Sequence, residues 1–442
     1  MSDALAKRIN RGTGRRATLR FVGDEPFGPR LRARSWRFGN GLRVVTLPDP
    51  SAPVVSYQTW LGVGSRHERK GKTGLAHFFE HLMFGGTARV PHGEFDRRLE
   101  EVGAESNAAT WTDWTCFYEN LPAHELPLAI ELEADRLTNL VLDEPRVESE
   151  REVVMSERRD RIDDDVDGRA GEALWATALP RHPYGHPTLG WMRDIRRLSV
   201  ADCEAFYRTW YVPSNVVLAI AGDFDEARVL RRIRDAYGKL RRSPRPTAPP
   251  TKGPGQRRER RKVLRMPASS QRLHIGYRAP AFGDPDWIAL TVLSQHLVGG
   301  EASLLHEDLV MDRELARSVW GYLPPFALPS LYELGVDLRP GGDAQVALAA
   351  LDRAIAEVVD HGVPPDALQR AKARLELGLI SSMETASGKA DLLGFYATLG
   401  LRPAGIFERI DATAAVGDED LRRVATRWLD PRQRTVVTVV PR

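Results

Sequence analysis

FYRTWYVPSNVVLAIAGDF, Phe206 to Phe224, and VATRWLDPRQRTVVTVVP, Val424 to Pro441, follow one pattern twice. In each, a helix-like segment stops at a tryptophan (Trp210, Trp428), proline follows three residues later (Pro213, Pro431), and a β-branched run reads as a strand. The order is shared upstream as well. Strand signals (LRVVTL and VVSYQTWLGV, then RKVLRM and RLHIGYRA) precede a helix ending in Gly85-Gly86 in one copy and Gly299-Gly300 in the other. Self-similarity on this scale marks a duplication. Strands mixed with long helices, without strict alternation, predict an α+β layer architecture rather than a doubly wound parallel sheet.

Between the copies lies RRSPRPTAPPTKGPGQRRERRK, residues 241–262, rich in proline and like charge and almost without apolar residues. It reads as an exposed linker. The expected organisation is an N-terminal extension over 1–30, a first α+β domain over 31–240, the linker over 241–262 and a second α+β domain over 263–442. Lys plus Arg (63) nearly balances Asp plus Glu (60), so no overall field points to nucleic acid or an anionic membrane. The basic linker lacks interleaved aromatics, which argues further against nucleic acid. Cys116 and Cys203 are the only cysteines, leaving at most one bridge and no thiolate metal cluster. No apolar run approaches the roughly 20 residues of a membrane span, and the amino terminus has no apolar signal stretch. The expected compartment is the cytoplasm, with the periplasm or an organelle as the alternative if an N-terminal segment is processed.

The chemistry concentrates in GLAHFFEHLMFGGT, Gly74 to Thr87. Ionisable side chains in so apolar a segment need a reward, because they are rarely buried unless paired or metal-bound. On a helix, His77 and His81 lie one turn apart on the same face and Glu80 lies beside them. Two imidazoles so spaced can hold one zinc ion, and a neighbouring carboxylate can take a proton from water. H-x-x-E-H is the inverted zincin arrangement. A solvated helix surface is the plain alternative, but it would expose the flanking LAHFFEHLMF to water. A catalytic site needs a third protein ligand, and the acidic helix ESEREVVMSERRD is the best supplier. Glu150 and Glu157 are seven apart and share a face, with Val153 and Val154 between them on the apolar side. Glu157 is expected as the ligand, and Glu150 as a residue orienting a histidine or the ligand helix from behind. The second copy keeps only His296 in WIALTVLSQHLVGG, with Val292 four residues before it, so one copy is built for chemistry and the other is not.

These segments, taken in order with NAATWTDWTCFY (Asn107 to Tyr118) and HPYGHPTLG (His182 to Gly190), resemble the pitrilysin or insulinase-type zinc peptidases, in their short processing-peptidase-like branch. The 75 residues between His81 and Glu157 fit the spacing of that family. The resemblance implies that His77, His81 and Glu157 bind Zn2+, that Glu80 is the general base, and that Glu150 supports the site. It also implies that Asn107 and the strand Ala108, Ala109, Thr110 border a peptide substrate, which would add to the sheet edge as a strand. It implies two similar α+β domains enclosing a chamber, and substrates that are peptides or unfolded segments. The family's second half usually supplies an arginine and a tyrosine seven residues apart, the tyrosine directly after Leu-Ala. Here Leu315-Ala316 is followed by Arg317, and Val310 stands seven residues earlier. One account has Tyr322 or Arg317 substituting from a shifted position. The alternative, which we favour, is a heterodimer with a homologous zinc-less subunit that supplies the pair, a homodimer being a further arrangement. A catalytically silent core or scaffold subunit is the competing reading, and loss of the ligands would be its signature.

Overall fold

A computed structural model describes residues 2–248, 251 and 255–442. Part of the segment read as a linker, 249–250 and 252–254, lies outside the described residues; 241–248 carry no helix or strand, and the next strand starts at Arg260. The chain forms two compact units, one of Met1–Met155, Thr188–Pro249 and Ile380–Glu408, the other of Ser156–Pro187, Pro250–Leu379 and Arg409–Arg442.

The first unit holds a seven-stranded sheet. Its strands are β1 (Leu19–Phe27), β2 (Leu31–Phe38), β3 (Arg43–Pro48), β4 (Val54–Leu61), β5 (Glu105–Thr110), β6 (Thr115–Pro122) and β7 (Val216–Gly222), ordered β1-β2-β3-β7-β4-β6-β5. Only β3 and β7 run parallel. β7, VVLAIAG, is buried along its whole length, as expected of a central strand covered on both faces. Val216, Leu218 and Ile220 join the main core with Tyr57, Phe78, Phe79 and Phe117. The opposite face lies against the helix Ala386–Thr398, which packs on β4 and β7. Gly394 permits the approach, since a β-carbon there would fall 2.0 Å from the Trp60 indole nitrogen.

The second unit has five strands, β8 (Arg260–Met266), β9 (Arg272–Ala279), β10 (Ala316–Tyr322), β11 (Ser330–Leu338) and β12 (Arg434–Pro441), ordered β10-β11-β9-β12-β8. Here only β8 and β12 run parallel. The helices Pro285–Val298, Ala344–His361 and Asp418–Trp428 contribute to a core on one face, and Val166–Ala178 packs on the other. The two sheets repeat one topology: β3-β7-β4-β6-β5 has the same order and the same sense of pairing as β8-β12-β9-β11-β10. In each copy the closing strand slides between the first two, parallel to one and antiparallel to the other. The α+β class and the duplication read from the two tryptophan-proline-strand segments are therefore present. Sequence order and packing differ in one respect: a helix from late in the chain, Ala386–Thr398, packs in the first unit, and one from the first half, Val166–Ala178, packs in the second. Each sheet has a second apolar face that must be covered, and nothing in a linear pattern says which helix will cover it. Cys116 and Cys203 are buried free thiols. Among the described residues no helix is long and apolar enough to cross a membrane.

Candidate metal centre

The helix Leu75–Leu82 divides cleanly into two faces. Leu75, Phe78, Phe79 and Leu82, spaced three and four apart, are buried in the main core. His77, Glu80 and His81 take the remaining face, so the apolar flank is satisfied without exposing it. The helix start is unusual, because Gly74 at the cap position has a φ of 87° and no side chain to offer. The cap comes from outside the helix. Glu68 accepts hydrogen bonds from the Gly74 N–H (2.8 Å) and the Ala76 N–H (2.7 Å), placing a negative charge at the positive end of the helix dipole. Thr73 adds a second anchor: its hydroxyl donates to Asp194 Oδ2 at 2.7 Å and accepts from the Trp191 N–H at 2.9 Å.

One continuous helix, Glu144–Arg158, carries both Glu150 and Glu157. One ligand atom from each of His77, His81 and Glu157 lies within 4.8 Å of the others, and among the described residues this is the one cluster of three such groups. The two imidazole rings sit 4.7 Å apart at 68° to each other. Glu150 Oε2 is 3.5 Å from His81 Nδ1, the ring nitrogen whose partner sets the ring's orientation. Arg161, one turn beyond, holds Glu157 Oε1 at 2.9 Å. A π-helical turn, Arg159–Asp163, follows directly. One expectation for this helix fails. Val154 is fully buried, but Val153 is 48% exposed, because 100° of rotation carries it off the face shared by Val147, Val154 and Met155.

Near enough to Glu80 to feel its charge lies Tyr211, a residue the sequence reading did not single out. The Tyr211 hydroxyl is buried, and burial first and the nearby Glu80 next hold its proton well above the usual phenol range. Its ring centroid lies 4.6 Å from that of Phe79, with the two rings tilted at 56°. Tyr211 stands one residue past the duplicated Trp210, a position whose obvious reading was the end of a helix. Glu68 had a legible signal: it is the only carboxylate between Ser65 and Gly74, just ahead of a helix with no capping side chain of its own.

β5 is an edge strand, paired only with β6, and the histidine helix packs beside it. Asn107 and Ala109 are exposed on it, and Asn107 Oδ1 accepts from the Ala108 N–H at 2.8 Å. Thr110 differs from its three neighbours: it is buried, with its hydroxyl 3.3 Å from that of Thr115. In the second unit, the helix Pro285–Val298 buries Val292 and His296 in an apolar core and offers no metal set. Arg317 reaches Ser269 at 3.4 Å, Tyr322 is 42% exposed at the end of β10, and Val310 packs against the second core.

Comparison with known proteins places this geometry. Residues 43–191 match the family profile described as insulinase (peptidase family M16), and 197–375 match the one described as peptidase M16 inactive domain. An uncharacterized zinc protease of Mycobacterium tuberculosis is 32% identical over 82% of this chain and 83% of its own length. A probable mitochondrial-processing peptidase subunit beta of Arabidopsis thaliana is 26% identical over 91% of this chain and 77% of its own. The crystal structure of a protease from Helicobacter pylori superposes with a TM-score of 0.89 at 28% identity, covering 92% of this chain and 99% of the other. An α+β duplication with H-x-x-E-H in one copy defines the inverted zincin peptidases as a class. The chain belongs to that class through peptidase family M16, the insulinase-type zinc peptidases.

Proposed function

We propose that the protein is a zinc-dependent endopeptidase acting on peptides or unfolded segments. The observation that carries this reading is the convergence of His77, His81 and Glu157 from two helices. Two imidazoles and one carboxylate are the ligand composition of catalytic zinc sites, which leave a further position for water or substrate. When bound, the ion supplies a positive charge that polarises the scissile carbonyl and makes water more acidic. Glu80, on the same helix turn, accepts a proton from the attacking water and delivers it to the leaving amine. Glu150 fixes the ring of His81. The free edge of β5 offers its backbone N–H and C=O groups to an extended substrate, with Asn107 and Ala109 nearest to it and Ala108 and Thr110 completing the strand.

The same reading includes a partner. Val310 and Arg317 occupy the places where the family usually supplies an arginine and a tyrosine, so a homologous zinc-less subunit is proposed to donate that pair, with this chain as the zinc-bearing half of a heterodimer. A relative named as a subunit of a processing peptidase supports this arrangement. Losing one donor to the developing oxyanion costs about 3 kcal/mol. The test is peptide hydrolysis by the purified chain, alone and with a co-encoded homologue lacking H-x-x-E-H, beside metal analysis. Zinc-free protein would refute the peptidase reading, and full activity without a partner would refute the heterodimer.

A further inference from the structure

The duplication leaves one strand in two different settings. β3 and β8 hold the same place in their sheets, each parallel to the closing strand beside it, β7 or β12. β2 covers the outer edge of β3 as an antiparallel neighbour, and Val44, Val45, Thr46 and Leu47 are all buried. Among the described residues no strand covers the outer edge of β8. Arg261, Lys262, Val263 and Arg265 are exposed there, Val263 to 61%.

The backbone groups at this edge follow from one hydrogen bond. The Arg442 N–H, just past β12, donates to the Met266 carbonyl at 3.0 Å, so Met266 turns its backbone inward. Residues alternate along a strand, and Arg261, Val263 and Arg265 therefore turn theirs outward, away from β12. Of these groups the Arg265 carbonyl is already taken, by Arg442 Nε at 3.1 Å. The same alternation sorts the side chains. Leu264 and Met266 pack toward the helix Val166–Ala178, whose end holds Arg260 through the Thr177 and Ala178 carbonyls at 2.7 and 3.0 Å. Val263 projects from the opposite face, outside both cores of this unit.

Charge decides what fits beside it. Arg261 is matched by Glu259 and by Gln345 Oε1 at 3.1 Å, but Lys262 and Arg265 have no ion-pair partner among the described residues. A second copy of β8, laid antiparallel with the two Val263 residues opposed, would set Arg261 against Arg265 twice, and like charges directly opposite repel. An acidic strand reverses the sign of those contacts.

We infer that the free edge of β8 docks an extended acidic segment of a partner protein as a sixth strand, antiparallel to β8 as β2 is to β3. Its backbone pairs with Arg261 and Val263, an apolar side chain covers Val263, and carboxylates stand opposite Lys262 and Arg265. Along the partner this reads as an acidic residue, any residue, an apolar residue and a second acidic residue. The surface uses no residue of the metal centre and does not rest on the peptidase reading.

The experiment uses the full chain with Glu80→Gln, so that no peptide is consumed, and a short peptide centred on Glu-Thr-Val-Glu beside its Lys-Thr-Val-Lys counterpart. Fluorescence anisotropy is expected to show saturable one-to-one binding of the acidic peptide, weaker at high salt, and at least about tenfold weaker binding of the lysine peptide. Hydrogen exchange in 260–266 should slow when the acidic peptide is bound. Lys262→Glu/Arg265→Glu, altered only at exposed side chains, should lose at least about tenfold in affinity for the acidic peptide and gain affinity for the lysine one. Val263→Pro removes an outward N–H that the ladder to β12 does not use, and should weaken binding by a similar factor with the charge unchanged. No saturable binding of the acidic peptide would overturn the proposal. So would binding that both variants retain, with protection at the β5 edge instead. Protection of 260–266 by phosphatidylserine vesicles or an oligonucleotide, but not by the acidic peptide, would assign the surface to lipid or nucleic acid and overturn it as well.

Discussion

Gly74 and Gly190 meet backbone to backbone: a β-carbon on Gly190 would lie 2.4 Å from the Cα of Gly74, and one on Gly74 would lie 2.5 Å from the carbonyl oxygen of Leu189. Both residues have positive φ, 87° and 80°. This contact, with the Thr73–Asp194 hydrogen bond beside it, pins the start of the histidine helix to the end of HPYGHPTLG and the residues just after it. Gly190→Ala is expected to destabilise the protein by about 3 kcal/mol, combining left-handed strain with a backbone clash. Urea unfolding followed by far-UV dichroism measures it. A loss below about 0.5 kcal/mol, the range of ordinary surface changes, would show that the approach is not tight.

Glu80→Gln keeps the shape of the side chain and removes its basicity. The variant is expected to bind zinc as the parent does and to hydrolyse peptides about 10²- to 10⁴-fold more slowly. Metal content by mass spectrometry and turnover of a quenched fluorescent peptide, with the partner subunit present if one is required, give both readings. Loss of zinc along with activity would make Glu80 a ligand rather than a base.

How much of this was legible in advance follows from the range of each interaction. His77, Glu80, His81 and their apolar counterparts sit within eight residues, and helical geometry alone sorts them into two faces. Glu157 needed only one more step, an acidic residue on a second helix. The repeated closing strands carried the duplication, because β7 and β12 are central strands with near-continuous apolar runs. What could not be read was long-range. Gly394 against Trp60 and Gly74 against Gly190 are contacts between segments far apart in sequence, and a glycine written in a line does not say what approaches it. Val153 was misjudged for a different reason: Val154 shares its face with Val147, seven residues earlier, and with Met155 on one side, whereas Val153 falls about 100° round on the other side of Val154 and out of the core.

Glu157 and Glu150 should separate by their effects on metal. Glu157→Gln removes one of the three proposed ligands, so the isolated variant is expected to carry little zinc. Glu150→Gln should leave the set intact and weaken affinity by about 10- to 100-fold, through loss of the carboxylate beside His81. A chelator should lower the parent's melting temperature, since a ligand bound at 1,000 times its Kd stabilises by about 4 kcal/mol. It should leave the Glu157→Gln melting curve nearly unchanged. Equal zinc content in the parent and Glu157→Gln would remove that residue from the site.

The second unit contains a titration that stability measurements can read. Burial pushes the Glu333 carboxyl from 4.5 up to about 7, with a hydrogen bond from Trp175 pulling the other way. The folded state therefore keeps a proton that the unfolded chain releases once pH exceeds about 4.5. Because the native form binds more protons in that window, stability falls as pH rises through it and levels off above about 7. A shift of this size corresponds to roughly 3 kcal/mol between the two plateaus. Glu333→Gln is neutral at every pH and should abolish that component. Relative to the parent, its stability at pH 8 should exceed its stability at pH 4 by about the same 3 kcal/mol. Denaturant unfolding followed by tryptophan fluorescence, with Trp175 as a local reporter, tests this. Parallel pH profiles for parent and variant would mean that the carboxyl already titrates in its ordinary range.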